Sequence, residues 1–509
     1  MAFLDLFPLT TLMFLPIVFL VLYFFHNKNG VPTNWPFVGM LLPILWNRNQ
    51  LQDYLTEMLE ASNGHIMFHG PWFSNMNIVG TTDPADVHYV MVKNFPNFVK
   101  GPEFNRIFDV LGDGIFNVDA ELWKFQRQMA HSFTGQDRFR RFVIKTLHRK
   151  IEGGLVPILD DAVERGIVVD LQDLFTRLTL DSICLFIMGR DPGCLSVELK
   201  DVPFSKAMND ILEAIFLRHA VPERVWMLFR WLKIGPERKL SEGWKILDEF
   251  IYGLIEEKKK EIKKASVAPF VSNKEDKDID LLSLYMNGNA NTNKWSDRFL
   301  RDTVLNLVIA GRDTTGASLS WLFWLISTNP EVESKILEEV KDITNDTKLS
   351  PSDIGIEDLS KMVYLHSALC ETLRLYPPVP INHKAPLVPD KLPSGYKVDP
   401  SIKILFFNYA MGRKKSIWGE DCTEFKPERW ISEQGKPKNE PSYKFFSFGA
   451  GPRICLGKEM AFIQIKTVVS SLIGKYRFQV VEGHRVTPDQ NSVILQMKHG
   501  LKVRVLNKT

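Results

Sequence analysis

Cys455 lies in the stretch FSFGAGPRICLG, residues 446–457, where Phe448, Gly451, Arg453, Cys455 and Gly457 fall in the spacing FxxGxRxCxG. A thiolate that ligates a metal in a non-aqueous pocket needs its charge balanced. Backbone N–H donors do this best where glycines let the chain approach closely. The following run, Lys458 to Leu472, reads as a helix, so the sulfur would lie near a positive helix N-terminus. The expectation is a low-pKa, metal-binding cysteine, set against a buried structural cysteine in a glycine-rich loop. The other cysteines are Cys184, Cys194, Cys370 and Cys422, an odd total of five with no CxxC pair, which suits a reducing compartment. None of the 11 histidines is spaced near Cys455 as a zinc site requires.

Three further groups could do chemistry. AGRDTT, residues 310–315, interrupts an apolar run from Asp297 to Thr328 with an acid and two hydroxyls. Such groups are costly in a core helix unless they serve something, and Gly311 weakens the helix there. Taken alone, the stretch is a polar kink with internal hydrogen bonds unless Asp313 and Thr314 serve a site beside the helix. Glu371 and Arg374, in CETLRLYPP, are three apart and share a helix face; FKPERW, residues 425–430, offers Arg429. Taken alone, Glu371 and Arg374 are a surface ion pair. Trp123 and Arg127, in ELWKFQR, are four apart on one face, and the fork of Arg127 suits a carboxylate.

Helices must position these groups. Periodicity predicts them over Gln52–Ala61, Asp119–Ser132, Arg138–Ala162, Leu171–Met188, Leu240–Lys264, Asp297–Thr328, Glu331–Ile343 and Ser360–Leu375. Short strands are expected at Ile66–Phe68, Asn77–Val79, Lys403–Phe407, Tyr476–Val481, Ser492–Gln496 and Leu501–Leu506. The fold class is therefore mainly α with a small β region, without the alternation of a doubly wound sheet. Ala265–Asp278 and Thr344–Glu357 read as exposed connections. The chain has 509 residues, 45% hydrophobic and 24% charged, so a sizeable core is available. With 63 basic and 60 acidic residues the net charge is +3, which gives no global pull toward nucleic acid.

Residues 446–457 resemble the haem-binding loop of the cytochrome P450 family, and the resemblance covers essentially the whole chain. It implies haem b held by Cys455 as axial thiolate, buried between the long central helix and the Cys-bearing loop. Phe448 belongs to the same loop, and Trp123, Arg127 and Arg453 would reach the haem propionates. Asp313 and Thr314 would deliver protons for oxygen activation. Glu371, Arg374 and Arg429 would form a buried structural network. Electrons would come from NADPH through NADPH-cytochrome P450 reductase, an acidic flavoprotein. It would dock on a positive patch drawn from Lys124, Arg127, Arg138, Arg140, Arg141, Lys145, Arg149, Lys150, Lys444 and Lys458. Without the resemblance, that charge run is a solvated face.

Leu6 to Phe25 supplies about the 20 apolar residues that cross a bilayer, with no basic residue before it and no small-x-small cleavage site after it. The expectation is an uncleaved anchor over residues 1–28, a Pro/Gly hinge over 29–50 and a catalytic domain over 51–509. The localisation that follows is single-pass in the endoplasmic reticulum membrane, with the body in the cytosol. Residues 101–123, 373–386 and 408–421 look like plant fatty-acid and alkane hydroxylases, most closely the mid-chain alkane hydroxylase group. The resemblance makes Phe104, Ile107, Phe108, Phe116, Leu307, Ile309, Val379, Ile381 and Val493 substrate-facing, around an apolar small molecule. His383 and Lys384 are the polar exceptions there, able to hold a carboxylate or alcohol head group, with Lys384 expected to snorkel to solvent. Three readings compete with aliphatic hydroxylation: oxidation of an aromatic or alkaloid metabolite, a non-catalytic haem protein, and a haem-free scaffold.

Overall fold

The computed structural model describes Val18 and residues 32–74, 76–267, 280–287, 295–347 and 353–508. The expected anchor apart from Val18, and residues 268–278 and 348–352 of the two expected connections, lie outside these residues. Among the described residues no helix is long and apolar enough to cross a membrane. Residues 32–50 are folded back on the body: the Met40 amide donates to His69 (2.7 Å) and the Trp72 amide to Phe37 (2.9 Å).

The architecture is mainly helical with a small β region. The central helix, Asp297–Thr328, has the expected bounds; the Ser296 hydroxyl caps it by accepting from the Phe299 amide at 3.2 Å. Its middle is buried on nearly every side. Helix Leu171–Met188 packs closely against it, capped by Asp170 and ended by left-handed Gly189. A Cβ on Gly311 would lie 2.4 Å from Ile183, so this glycine sets how closely the two helices approach.

Two expected helices are divided. The Arg138–Ala162 run is Asp137–Lys150 and Val156–Arg165, joined by a wide turn at Ile151–Leu155 that holds Gly153 and Gly154 and is followed by Pro157. The Ser360–Leu375 run breaks at Met362, because the Glu339 carboxylate takes the amides of Tyr364 (2.6 Å) and Leu365 (2.9 Å) and starts a new helix, Val363–Leu375. Ser492–Gln496 is a turn rather than a strand: the Leu495 amide donates to Pro378 (2.9 Å) and its carbonyl accepts from the Trp321 indole (2.8 Å). Helices Pro203–Ala220 and Glu223–Leu232 were not expected from periodicity.

Strands β1 (His65–His69), β2 (Asn77–Thr81), β3 (Phe98–Val99), β5 (Ile381–Pro386) and β8 (Ile402–Phe407) form one sheet, ordered β1-β2-β8-β5-β3. In it β2 and β8 run parallel, and β5 is antiparallel to β8 with His383 opposite Leu405. A second sheet joins β4 (Val168–Asp170), β10 (Lys502–Asn507) and β9 (Tyr476–Val480), and β6 (Asp390–Lys391) pairs with β7 (Lys397–Val398). Helix Lys458–Leu472 carries the cysteine loop at its N-terminus and packs against the central helix.

Candidate active site

The cysteine loop is shaped by two left-handed glycines. Gly449 has φ +72°, and Gly451 has φ +66° with a Cβ position only 1.8 Å from the Met91 carbonyl, where no side chain fits. The Cys455 amide donates to the Phe448 carbonyl at 2.7 Å, closing the loop. The amides of Gly457 and Lys458, at the start of the helix, favour the charged form of the sulfur. Cys455 is the one accessible cysteine; the other four are buried. Yet burial by surrounding protein pushes its thiol up, against those two amides and the charges of Arg127 and Lys458. A sulfur both accessible and desolvated opens onto an internal void. The expected low pKa is corrected: without a metal, desolvation outweighs the donors, and the thiolate requires a cation bound to it. The Phe448 ring, half-buried, packs 5.6 Å from Phe462 with the Lys458 ammonium 5.5 Å from its centre.

Arg453 lies over the Trp123 ring at 4.7 Å, with Arg127 on the same ring at 5.9 Å. Arg453 donates to the Val118 carbonyl (2.6 Å) and to Asp119 (2.5 Å), and its Nε is buried with no partner among the described residues. Two lysines that the sequence reading did not place here share the cluster. Lys384 does not snorkel: it is fully buried, donates to the Phe98 carbonyl (2.9 Å) and lies 4.9 Å from the centre of the Phe95 ring. Lys100 lies 4.2 Å from the centre of the Phe104 ring. Burial and then the Arg453 charge pull Lys100 down to about 7, burial pulls Arg453 down to about 10, and burial and then Lys100 hold Lys384 well below the usual lysine range. Arg453, Lys100 and Lys384 all feel the Asp119 carboxylate, which also accepts from the amides of Lys100 and Gly101. A buried surplus of this sign is a cradle for an anion.

On the central helix, Leu307, Ala310, Gly311 and Thr314 are half-buried while nearly all their neighbours are fully buried. Leu307, Ala310 and Thr314, at i, i+3 and i+7, make one partly open stripe, while Gly311 beside them faces Ile183. The Thr314 hydroxyl donates to the Ala310 carbonyl at 2.6 Å. Asp313 points elsewhere: it pairs with Arg312, which also donates to the Ser205 hydroxyl, and its second oxygen has no partner among the described residues. Burial raises the Asp313 carboxyl despite Arg312. The structure thus places Asp313 and Thr314 side by side in sequence without a direct contact between their side chains. Leu212, Ala317, Val379, Val493 and Ile494 form a separate apolar cluster beside this helix. Of the other expected substrate-facing residues, Ile107 is buried in the main core and Phe104 stacks on Phe108 at 4.3 Å.

Glu371 and Arg374 are fully buried and not a surface pair. Arg374 donates twice to Glu371, each at 2.7 Å, and Arg429 donates at 3.3 Å. The Trp430 indole (2.8 Å) and the Lys426 amide (3.1 Å), which no local spacing reveals, bring the total to five donors on one carboxylate. Arg374 and Arg429 spend their remaining N–H groups on carbonyls of Gly412, Cys422, Glu424, Trp418 and Asp421.

The family profile for cytochrome P450 matches residues 30–505. The chain belongs to the cytochrome P450 family. It is 43% identical over 503 residues to the alkane hydroxylase MAH1 of Arabidopsis thaliana, covering 97% of each chain. It is 41% identical to noroxomaritidine synthase 1 of Narcissus pseudonarcissus, over 95% of this chain and 92% of that one. It is 39% identical to cytochrome P450 86B1 of Arabidopsis thaliana, over 97% and 89%. The protein is a cytochrome P450 monooxygenase that uses a haem with a cysteine-ligated iron, O2 and electrons from a redox-partner reductase. The residues present fit that group: an accessible, desolvated sulfur, a cationic cradle for two carboxylates, and a half-open helix stripe. The readings as a haem-free scaffold or a non-catalytic haem protein fall away with the family assignment.

The expected docking patch is smaller than the charge run. Arg138, Arg141, Lys145 and Arg149 are exposed at three- and four-residue spacing on one face of helix Asp137–Lys150. Lys150 is withdrawn from it, bound to Asp181 (2.6 Å) and Asp191 (3.0 Å). Arg127 is turned toward the cysteine. Lys124, Arg140 and Lys444 are already paired with Glu121, Asp137 and Glu440.

Proposed function

We propose that this cytochrome P450 hydroxylates long aliphatic chains, an alkane at a mid-chain carbon or a fatty acid near its end. Electrons come from NADPH through the flavoprotein NADPH-cytochrome P450 reductase. An anchor over residues 1–28 and a hinge over 29–50 hold the catalytic domain, 51–509, on the cytosolic face of the endoplasmic reticulum membrane. The observation that carries the substrate reading is the apolar cluster Leu212, Ala317, Val379, Val493 and Ile494, which borders the Thr314 side of the central helix without a charged member. The similarity to an alkane hydroxylase over nearly the whole chain supports the same reading.

When bound, haem supplies reductive activation of O2 and insertion of one oxygen atom into a C–H bond. The chain's residues set the conditions. Cys455 ligates the iron, with the amides of Gly457 and Lys458 sharing the sulfur's charge and Phe448 shielding it. Trp123, Arg127 and Arg453, joined by Lys100 and Lys384, hold the two carboxylates of the cofactor. The Thr314 hydroxyl, at present on the Ala310 carbonyl, turns to hold a proton at the face that the substrate approaches. Asp313, its carboxyl raised by burial and its second oxygen free of partners among the described residues, moves protons inward from the Arg312–Ser205 side. The apolar cluster excludes water from the reacting carbon. Glu371, Arg374 and Arg429 hold the core beneath the cysteine loop.

A second reading, oxidation of an aromatic or alkaloid metabolite, is favoured by the noroxomaritidine synthase relatives and by the Phe104–Phe108 stack near the site. Purified protein with reductase and NADPH, given a long alkane, a fatty acid and a phenolic alkaloid, separates the two by product analysis. Hydroxylated aliphatic product is expected; turnover of the alkaloid alone overturns the aliphatic reading.

A further inference from the structure

His383 is 4% exposed, and both its ring nitrogens are buried without a hydrogen-bond partner among the described residues. A buried imidazole with neither nitrogen satisfied is destabilising by about 1–3 kcal/mol per group, so the position calls for a missing partner. Burial, and then the neighbouring His219 and lysines, hold the ring neutral. A neutral imidazole offers one donor and one acceptor.

Two elements lead to this ring from the apolar cluster. In β5 and the residue pair before it, Val379, Ile381 and His383 alternate onto one side. On helix Pro203–Ala220, Leu212, Phe216 and His219 recur at i, i+4, i+7 and share one face, spanning about 10 Å. The members correspond pairwise. Leu212 and Val379 meet in the cluster that includes Ala317 of the central helix, and Phe216 and Ile381 pack in a common second cluster. His219 and His383 end the track with ring centres 6.5 Å apart, walled by Phe104 and Phe108, each 5.4 Å from one histidine. Phe216, Ile381 and His219 are all half-buried despite their interior position. His219 is not the open group: its Nδ1 is bound to the Ile215 carbonyl at 2.9 Å. Lys403 is paired with Glu103, so His383 is left without a partner among the described residues; its one donor and one acceptor suit an oxygen-bearing group.

We propose that His383 is a specificity-determining residue that hydrogen-bonds the oxygen-bearing end of the substrate, a hydroxyl or a carboxylate, at the far end of an apolar track that begins beside the central helix. The proposal rests on the aliphatic reading above and narrows it: a chain with an oxygenated end is preferred to a plain alkane. It assigns the two ends of the site different tasks, with recognition at His383 and oxidation two helical turns away.

The test is spectral titration of the haem-loaded enzyme with hexadecane, 1-hexadecanol and hexadecanoic acid, repeated on His383→Phe and His383→Gln. The wild type is expected to bind the alcohol or the acid about tenfold more tightly than hexadecane, the worth of one hydrogen bond. His383→Phe is expected to erase that ratio while still binding hexadecane, and His383→Gln, which keeps a donor and an acceptor, to restore part of it. Which oxygenated probe binds more tightly separates hydroxyl from carboxylate recognition. An equal ratio in wild type and His383→Phe overturns the role of His383 and leaves the aliphatic reading standing. Absence of a spectral response to all three probes in the wild type overturns the aliphatic reading and the proposal with it. Hexadecane binding by His383→Phe shows that the variant is folded.

Discussion

The cysteine side of this protein and the central-helix side differ in how completely their polar groups are satisfied. Beneath Cys455, donors and acceptors are closed into a fixed arrangement, with the Cys455 amide on Phe448 and five donors on Glu371, whereas the Arg453 Nε of the cationic cradle is open among the described residues. Around Thr314 the reverse holds. Among the described residues Asp313 keeps an unpartnered oxygen and His383 two unpartnered nitrogens, and the Thr314 hydroxyl is parked on its own helix. Satisfied buried networks rigidify, whereas unsatisfied ones are kept for something that arrives. The first region holds a cofactor, and the second waits for oxygen, protons and substrate.

The largest effect should come from breaking the satisfied side. Glu371→Ala strands two buried guanidinium groups and the Trp430 indole, with an expected loss of about 3–5 kcal/mol; thermal unfolding and the yield of haem-loaded protein read it. On the open side, Asp313→Asn should leave the fold and the reduced carbon-monoxide spectrum intact and lower product formation about 100-fold, as removal of a proton-transfer group does. Steady-state turnover with reductase checks it. Outside both regions, reversing Arg141, Lys145 and Arg149 to Glu should slow reduction by the reductase about tenfold and flatten its salt dependence, with the haem spectrum unchanged. Stopped-flow reduction at two ionic strengths is the measurement.

The smallest effect concerns the cationic cradle. The folded Lys100 value of about 7 lies below its ordinary 10.5. Between those values the unfolded chain binds more protons than the folded one, so the stability of the haem-free protein rises with pH from about 7 upward. Lys384 is shifted in the same direction. Carboxylates of the cofactor placed beside these lysines raise both, so the haem-loaded protein should show a shallower rise. Thermal midpoints of both forms at pH 7 and pH 9 compare them.

Where chemistry follows from local spacing, the sequence was a good guide. FxxGxRxCxG specifies its loop because glycine alone fits the positive φ and the approach to Met91, and the central helix emerged with its expected ends because Ser296 caps it. Contributions that depend on distant segments were illegible. Lys100 joins the cradle from a loop next to β3 and Lys384 from β5, more than 280 residues apart, and nothing in either local pattern distinguishes them from solvated lysines. Trp430 reaches Glu371 in the same way. The Met362 break was hidden because its cause, Glu339, lies on another helix. The pKa of Cys455 was misjudged in sign because desolvation is a property of the assembled site, whereas the donors were visible locally.

The contrast between a finished cysteine side and a reactive helix side is tested most directly by Thr314→Ala, assayed with reductase for NADPH consumption, hydroxylated product and the reduced carbon-monoxide spectrum together. The account predicts an unchanged thiolate spectrum, continued NADPH consumption and product reduced by about tenfold or more. Wild-type product yield, or loss of the thiolate spectrum in this variant, would contradict it.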